Sequence, residues 1–467
     1  MPRLPIAASI LAAAVLTACG HFSPGRAAPV ISGYLSHQLC SAVFVAGRSP
    51  DRYYRDAIEP LAGPVAFLTR FTVDREHGEV RATFAGLAES RAVYRPQFGC
   101  VNATGRASAS ELSPPAQSEA TPPLLGAIAG AAPVQPAEPA LVAALDHAFD
   151  ETTQAPHRFT QAVVVIHKDR IVAERYASDV GVDTPLTGWS ATKSVTNALI
   201  GILVRQGKLD IHAPAPIMAW ADPRDPRHAI TIDQLLRMNS GLDMGQSLTS
   251  SVLTAFDPSA QMIFVDADTA AMAQRAPLAY PPGTHWNYTN ANTQLLSRIV
   301  RDQAGGTAAA TLGFARRELF DKLGMQHVTL EFDAAGTPIG ASHMWASARD
   351  WARFGLLYLH DGVVGGQRIL PAGWVDDSAA PTSGSEDFGY GAGFWTNRGP
   401  GAGARYRIRH GMPADAFMAR GSNGQYVVII PSKDLVIVRL GPAWTPRDDM
   451  ERVAQFTREV IEALKGG

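Results

Sequence analysis

Two strand-rich segments lie at opposite ends of a long helical stretch, and they constrain the fold more than any other feature. "AVVVIHKDRIVAERYA", starting at Ala162, is a pair of apolar runs around Lys168-Asp169, which is a tight-hairpin pattern. Far downstream, "FMARGSNGQYVVIIPSKDLVIVRLG" (Phe417 to Gly441) reads as three further strands with turns at 421–424 and 432–434. The intervening 210–380 region is mainly helical in pattern, with long loops. Helices are expected over about 140–151 and 447–465. One antiparallel sheet built from both ends and flanked by helices satisfies this order, which is an α+β fold. No internal repeat is present.

Upstream, 40–47 ("CSAVFVAG"), 64–74, 78–86 and 89–95 read as short strands, with "SPDRYYRDAIEPLA" as a helix between the first two. These define a small β-rich lobe over 26–105. Residues 106–139 are rich in proline, alanine and serine and lack hydrophobic periodicity, so they are expected to be a linker. A large domain then occupies 140–467.

The chain starts "MPRLPIAASILAAAVLTACGHF". One arginine precedes an apolar run of roughly 14 residues, short of the ~20 that a spanning helix needs. This fits a signal segment and tether over 1–25. "LTAC" at Leu16 to Cys19 resembles a lipobox, which implies that Cys19 is lipidated and that the protein is exported and held at a membrane by that lipid. Cys40 and Cys100 remain. In an oxidising compartment an isolated pair tends to bridge, so a disulfide is expected.

Net charge is −2, which offers no electrostatic basis for a nucleic-acid partner. There is no HExxH, and no two of the 13 histidines fall within four residues of each other, so neither a metal nor a cofactor is expected. No Gly-x-Ser-x-Gly elbow occurs, which disfavours an α/β-hydrolase. Oligomeric state has no readable signal.

The chemistry is concentrated in "GWSATKSVTNALIGILVRQGKLD". Ser190 reads as the N-cap of a helix whose apolar face runs through Val195, Leu199 and Ile202 and which Gly207 closes. Lys193 is anomalous. The first helical turn carries partial positive charge that disfavours a lysine, and the chain has few lysines to place. Ser-x-x-Lys puts both side chains on one face of that turn. The helix field and partial burial lower the lysine pKa, and a neutral lysine can accept the serine proton and create a nucleophile. Lys193→Glu would suit the helix dipole by ~0.3–1 kcal/mol, so the helix is expected to tolerate it while activity is lost.

"SATK" at 190–193, "YTN" at Tyr288 to Asn290 and "ARGSNGQ" at 419–425 in the closing strands follow one another in an order that resembles the penicillin-recognising serine hydrolases. The likeness is to the class C β-lactamase-like branch, with its esterases and 6-aminohexanoate-dimer hydrolases, and covers about 140–467. It implies a β-lactamase/transpeptidase-like sheet with a helical subdomain, and a small ester or amide as substrate. It makes Ser190 the nucleophile and Lys193 its partner. Tyr288 becomes the general base and acid, its phenolate favoured by Lys193. Asn290 would line the pocket and orient Lys193 or the substrate. The N–H groups of Ser190 and Ser422 would form the oxyanion hole, with Gly421 allowing close approach.

The third motif departs from that family. Lys-Thr-Gly is replaced by Ala419-Arg420-Gly421, with "RHG" at 409–411 as a competing match that would turn His410 into the pocket. Both put β-lactam hydrolysis in doubt. The nylon-dimer hydrolases have a loop tyrosine that assists amide cleavage; here no tyrosine falls between Tyr176 and Tyr280, which favours esters. The competing class is a penicillin-binding-like sensor or cell-wall interaction protein without turnover, which would not need Tyr288.

Overall fold

The computed structural model describes residues 24–103, 122–248 and 251–465. Residues 1–23 of the expected signal segment, Cys19 among them, lie outside the described residues. Six antiparallel strands form the main sheet, in the order Trp395–Thr396, Phe417–Gly421, Gln425–Ile430, Leu435–Leu440, Ala162–His167, Arg170–Tyr176. The join between the two ends of the domain is the pairing of Leu435–Leu440 with Ala162–His167, in register from Leu435↔His167 to Leu440↔Ala162. The hairpin turns through Lys168 and Asp169, both at positive φ (50° and 65°), as a two-residue turn of the primed type requires.

The central strands are apolar at nearly every position because both faces are covered. Val164, Ile166, Val427 and Val436 pack beneath Trp351 and Phe354 of the Ala348–Leu359 helix and against the Thr192–Arg205 helix. Their neighbours Val163, Val165, Val428 and Ile437 point the other way. They meet the helices Pro139–Phe149 and Met450–Lys465. Each such side chain contributes about 1.5–3 kcal/mol by leaving water. A helical region, including Asn290–Gln303, fills the middle of the chain.

The N-terminal lobe differs from expectation. A helix, Pro24–Cys40, lies across a four-stranded sheet of Thr69–Asp74, Glu79–Phe84, Ala88–Arg95 and Gly99–Asn102. The "CSAVFVAG" run is not a strand. Ser41–Val45 continues the helix as a π turn, with Ser41, Ala42 and Val43 buried. A short apolar run fits either state, and the preceding helix decides it. Cys40 and Cys100 form a disulfide that ties the end of the helix to the last strand.

The lobe is welded to the main domain through Glu331, which is fully buried. Its carboxylate accepts from Ser41 Oγ (2.7 Å) and the Cys100 N–H (2.8 Å) and pairs with His37 Nε2 (3.0 Å). The expected linker is also bound over 122–138. Leu124 and Leu125 donate to the Lys322 carbonyl, and Ile171 and Glu174 donate to the carbonyls of Ile128 and Val134. Leu125 and Ile128 join the core, so a few apolar residues turn that half of the segment into a strap. No helix among the described residues is long and apolar enough to cross a membrane.

Candidate active site

Ser190 sits in a tight turn, not at a helix cap. Trp189–Ala191 form a 3₁₀ turn, and the helix proper runs Thr192–Arg205 with Ala191 at its N-cap position and no side-chain cap. The Ser190 hydroxyl is therefore free for another partner. Trp189 has φ +45°, a strained value for a bulky residue. Tyr34 of the N-terminal helix stacks on its indole, with centroids 6.0 Å apart and planes 2° from parallel. At the far end Gly207 adopts φ +70° and closes the helix as expected, with Lys208 N donating to Leu203 O.

Lys193 is 2% exposed. Its Nζ donates to Ser190 Oγ (3.0 Å), Asn290 Oδ1 (2.6 Å) and the Ala341 carbonyl (2.8 Å). No carboxylate is among these partners. Burial pushes the ammonium down to about 7, so near neutrality an amine and an ammonium coexist beside the serine. Asn290 opens its helix, where Thr289 caps by accepting from Ala291 N, and this fixes the amide that faces Lys193.

Tyr288 is 2% exposed, and Lys193 Nζ lies 4.9 Å above its ring. Burial raises the phenol well above its ordinary value, against the opposing effects of a hydrogen bond with Ser190 and the charge of Arg420. This corrects the expected phenolate. Burial disfavours the charged form of each group, so it favours the protonated phenol and the neutral amine.

The facing wall is the end of the Phe417–Gly421 strand. A Cβ on Gly421 would lie 2.0 Å from Gly188 O and 2.9 Å from Trp189 Cβ, so only glycine lets this strand reach the serine turn. Ser422 follows at the cleft surface, beside Ser190. Arg420 is not a free cation. It pairs with Asp448 (2.7 Å) and lies over the Trp395 ring (4.8 Å). His410 is placed elsewhere. "RHG" ends the Ala402–Arg409 helix, and His410 packs on Tyr406 (4.6 Å) and lines neither cavity at Ser190. The turn at Gly411 (φ +115°) stops that helix before any strand can form.

Ser190 stands where two cavities meet. One, about 690 Å³, is lined by Tyr288, Trp395, Tyr406, Arg420, Arg447 and Asp448. The other, about 140 Å³, runs under the N-terminal lobe. The half-buried Ser190 hydroxyl beside the buried Lys193 amine, with a phenol alongside and backbone N–H groups at the facing strand, can form and break an acyl bond. Sequence reasoning missed Ala341, Tyr34 and Asp448. The first acts through its backbone and carries no residue signal, and the other two are distant in sequence from every motif. It also missed that His37, Glu331 and His343 converge, with potential ligand atoms all within 4.8 Å, because their spacing is wholly non-local.

A family model described as Beta-lactamase matches residues 145–461. A 6-aminohexanoate-dimer hydrolase from Paenarthrobacter ureafaciens is 27% identical over 330 residues, covering 68% of this chain and 81% of that protein. Among solved structures, a candidate 6-aminohexanoate-dimer hydrolase from Bacillus anthracis superposes with a TM-score of 0.55 at 23% identity, over 66% of this chain and 80% of its own. A D-stereospecific amidohydrolase from a Streptomyces species does so with a TM-score of 0.50 at 17% identity, over 69% and 99%.

Proposed function

Since the chain belongs to the beta-lactamase family of serine hydrolases, we propose that it is an exported enzyme that cleaves a small ester through an acyl-enzyme on Ser190. The observation that carries this reading is the Lys193 environment: an amine held 3.0 Å from Ser190 Oγ and kept near half-protonation by burial.

In the proposed cycle, neutral Lys193 takes the Ser190 proton as Oγ bonds to the substrate carbonyl carbon. The N–H groups of Ser190 and Ser422 stabilise the oxyanion. As the carbonyl re-forms, the ester C–O bond breaks and Tyr288 gives its proton to the departing alcohol. The Lys193 ammonium returns a proton to Tyr288. Water then attacks the acyl-enzyme by the same groups, releasing the acid and restoring Ser190. Asn290 holds Lys193 in line throughout.

The Arg420–Asp448 pair supports an ester over a β-lactam. Its charge is already matched, which leaves less for a substrate carboxylate than an unpaired lysine would. Export rests on the signal-like N-terminus and is consistent with the Cys40–Cys100 disulfide. Lipidation of Cys19 is part of the same reading, and mass spectrometry of the mature N-terminus tests it: an unmodified start elsewhere removes the anchor.

A fluorophosphonate should label Ser190, and p-nitrophenyl acetate should be turned over. Labelling without turnover would favour a binding module, a reading that Tyr288 beside the serine argues against.

A further inference from the structure

The smaller cavity does not belong to the main domain alone. One wall comes from the N-terminal lobe through Val30, Tyr34, Leu61 and Val65; the other comes from Val252 and Ile263. The cavity is apolar along these walls, and Ser190, Asn290 and Ser342 also line it. Asp257 also borders it, with its oxygens occupied by the N–H groups of Gln246 (3.2 Å) and Ser259 (2.7 Å).

The two cavities differ in what they can receive. Tyr288, the proton donor to the departing group, lines only the larger, arginine-rich cleft. The leaving group must lie next to its proton donor, so it occupies that cleft. The acyl group extends from the same carbonyl carbon in the other direction, toward the lobe.

We propose that the N-terminal lobe builds an acyl-chain pocket, and that the substrate carries an aliphatic or aryl acyl group of medium size. An apolar cavity of ~150 Å³ holds one benzene ring, so about 140 Å³ accommodates a ring or a chain of roughly four to six carbons. The lobe is thereby a specificity element, and it also holds Trp189 at the nucleophile through Tyr34. This rests on the reading of Ser190 as the nucleophile.

The test is a series of p-nitrophenyl esters from acetate to decanoate, with the leaving group held constant. Each methylene that enters the pocket should raise kcat/KM about fourfold, up to about hexanoate, with a plateau or fall beyond. Val65→Phe narrows the cavity from a half-buried position, and the hexanoate-to-acetate ratio should then collapse toward one. A profile flat from acetate onward would overturn the pocket while leaving the Ser190 chemistry intact. If no ester is turned over, the enzyme reading fails, and calorimetry with hexanol and ethanol tests the pocket alone. Hexanol binding that exceeds ethanol binding and weakens in Val65→Phe supports it. Equal binding of the two alcohols overturns it.

Discussion

Tyr34 stacks on Trp189 with ring planes 2° from parallel and centroids 6.0 Å apart, so a residue of the N-terminal lobe braces the strained position next to Ser190. Such a pair contributes about 0.5–1.5 kcal/mol beyond area burial. Tyr34→Ala should therefore lower kcat by roughly twofold to tenfold, while Tyr34→Phe, which keeps the ring, should restore it. An unchanged kcat in Tyr34→Ala would show that the lobe does not position the serine.

Lys193 predicts the pH profile. Its amine is the active form, and burial places the transition at about 7. The rate constant kcat/KM should rise with pH through that point, and it should be lost below it as the amine takes up a proton. Tyr288 stays protonated across this range, so its titration adds no limb. A profile flat from pH 5 to 9 would exclude Lys193 as the base.

Ser190→Ala should abolish covalent labelling and turnover. Lys193→Ala should cost nearly as much, because groups that act as one unit have non-additive effects. Tyr288→Phe should slow turnover by roughly 10²–10⁴-fold while the protein stays folded, as judged by its circular dichroism and melting temperature. Wild-type hydrolysis by Ser190→Ala would refute the mechanism.

Lys193→Glu is a case where structure reverses the sequence expectation. The helix dipole alone would tolerate it. The side chain, however, is 2% exposed and faces two oxygen acceptors, Asn290 Oδ1 and the Ala341 carbonyl. A carboxylate there is buried among acceptors and has no cation to pair with. Thermal melting should show a marked loss of stability, in contrast to Lys193→Met.

The disulfide closes a loop with a sequence separation of 60, for which the chain-entropy model gives about 4 kcal/mol at most. Cys40→Ser with Cys100→Ser should loosen the lobe and weaken its grip on Glu331. Hydrogen exchange should rise first in Pro24–Cys40 and in the strand Gly99–Asn102. Uniform protection in both proteins would count against this.

The sheet, its hairpin, the three closing strands and the Ser-x-x-Lys turn were legible because each depends on local period, turn residues and spacing of three or four positions. Val163 and Val164 pack on opposite faces for the same reason that their run reads as a strand. Short apolar segments without such a pattern were not legible: "CSAVFVAG" became helical because the helix before it continues, and His410 fell at a helix end and lines neither cavity at Ser190. The linker composition of 106–139 did not reveal that Leu125 and Ile128 would find a core. What only tertiary structure decided is the environment of Ser190, Lys193 and Tyr288. The lowered Lys193 pKa, the raised Tyr288 pKa and the cavity under the lobe arise from desolvation and from contacts distant in sequence, such as Lys193 with Asn290 and Ala341, 97 and 148 positions away. Local sequence sets backbone preference, whereas burial and charge are properties of the packed whole.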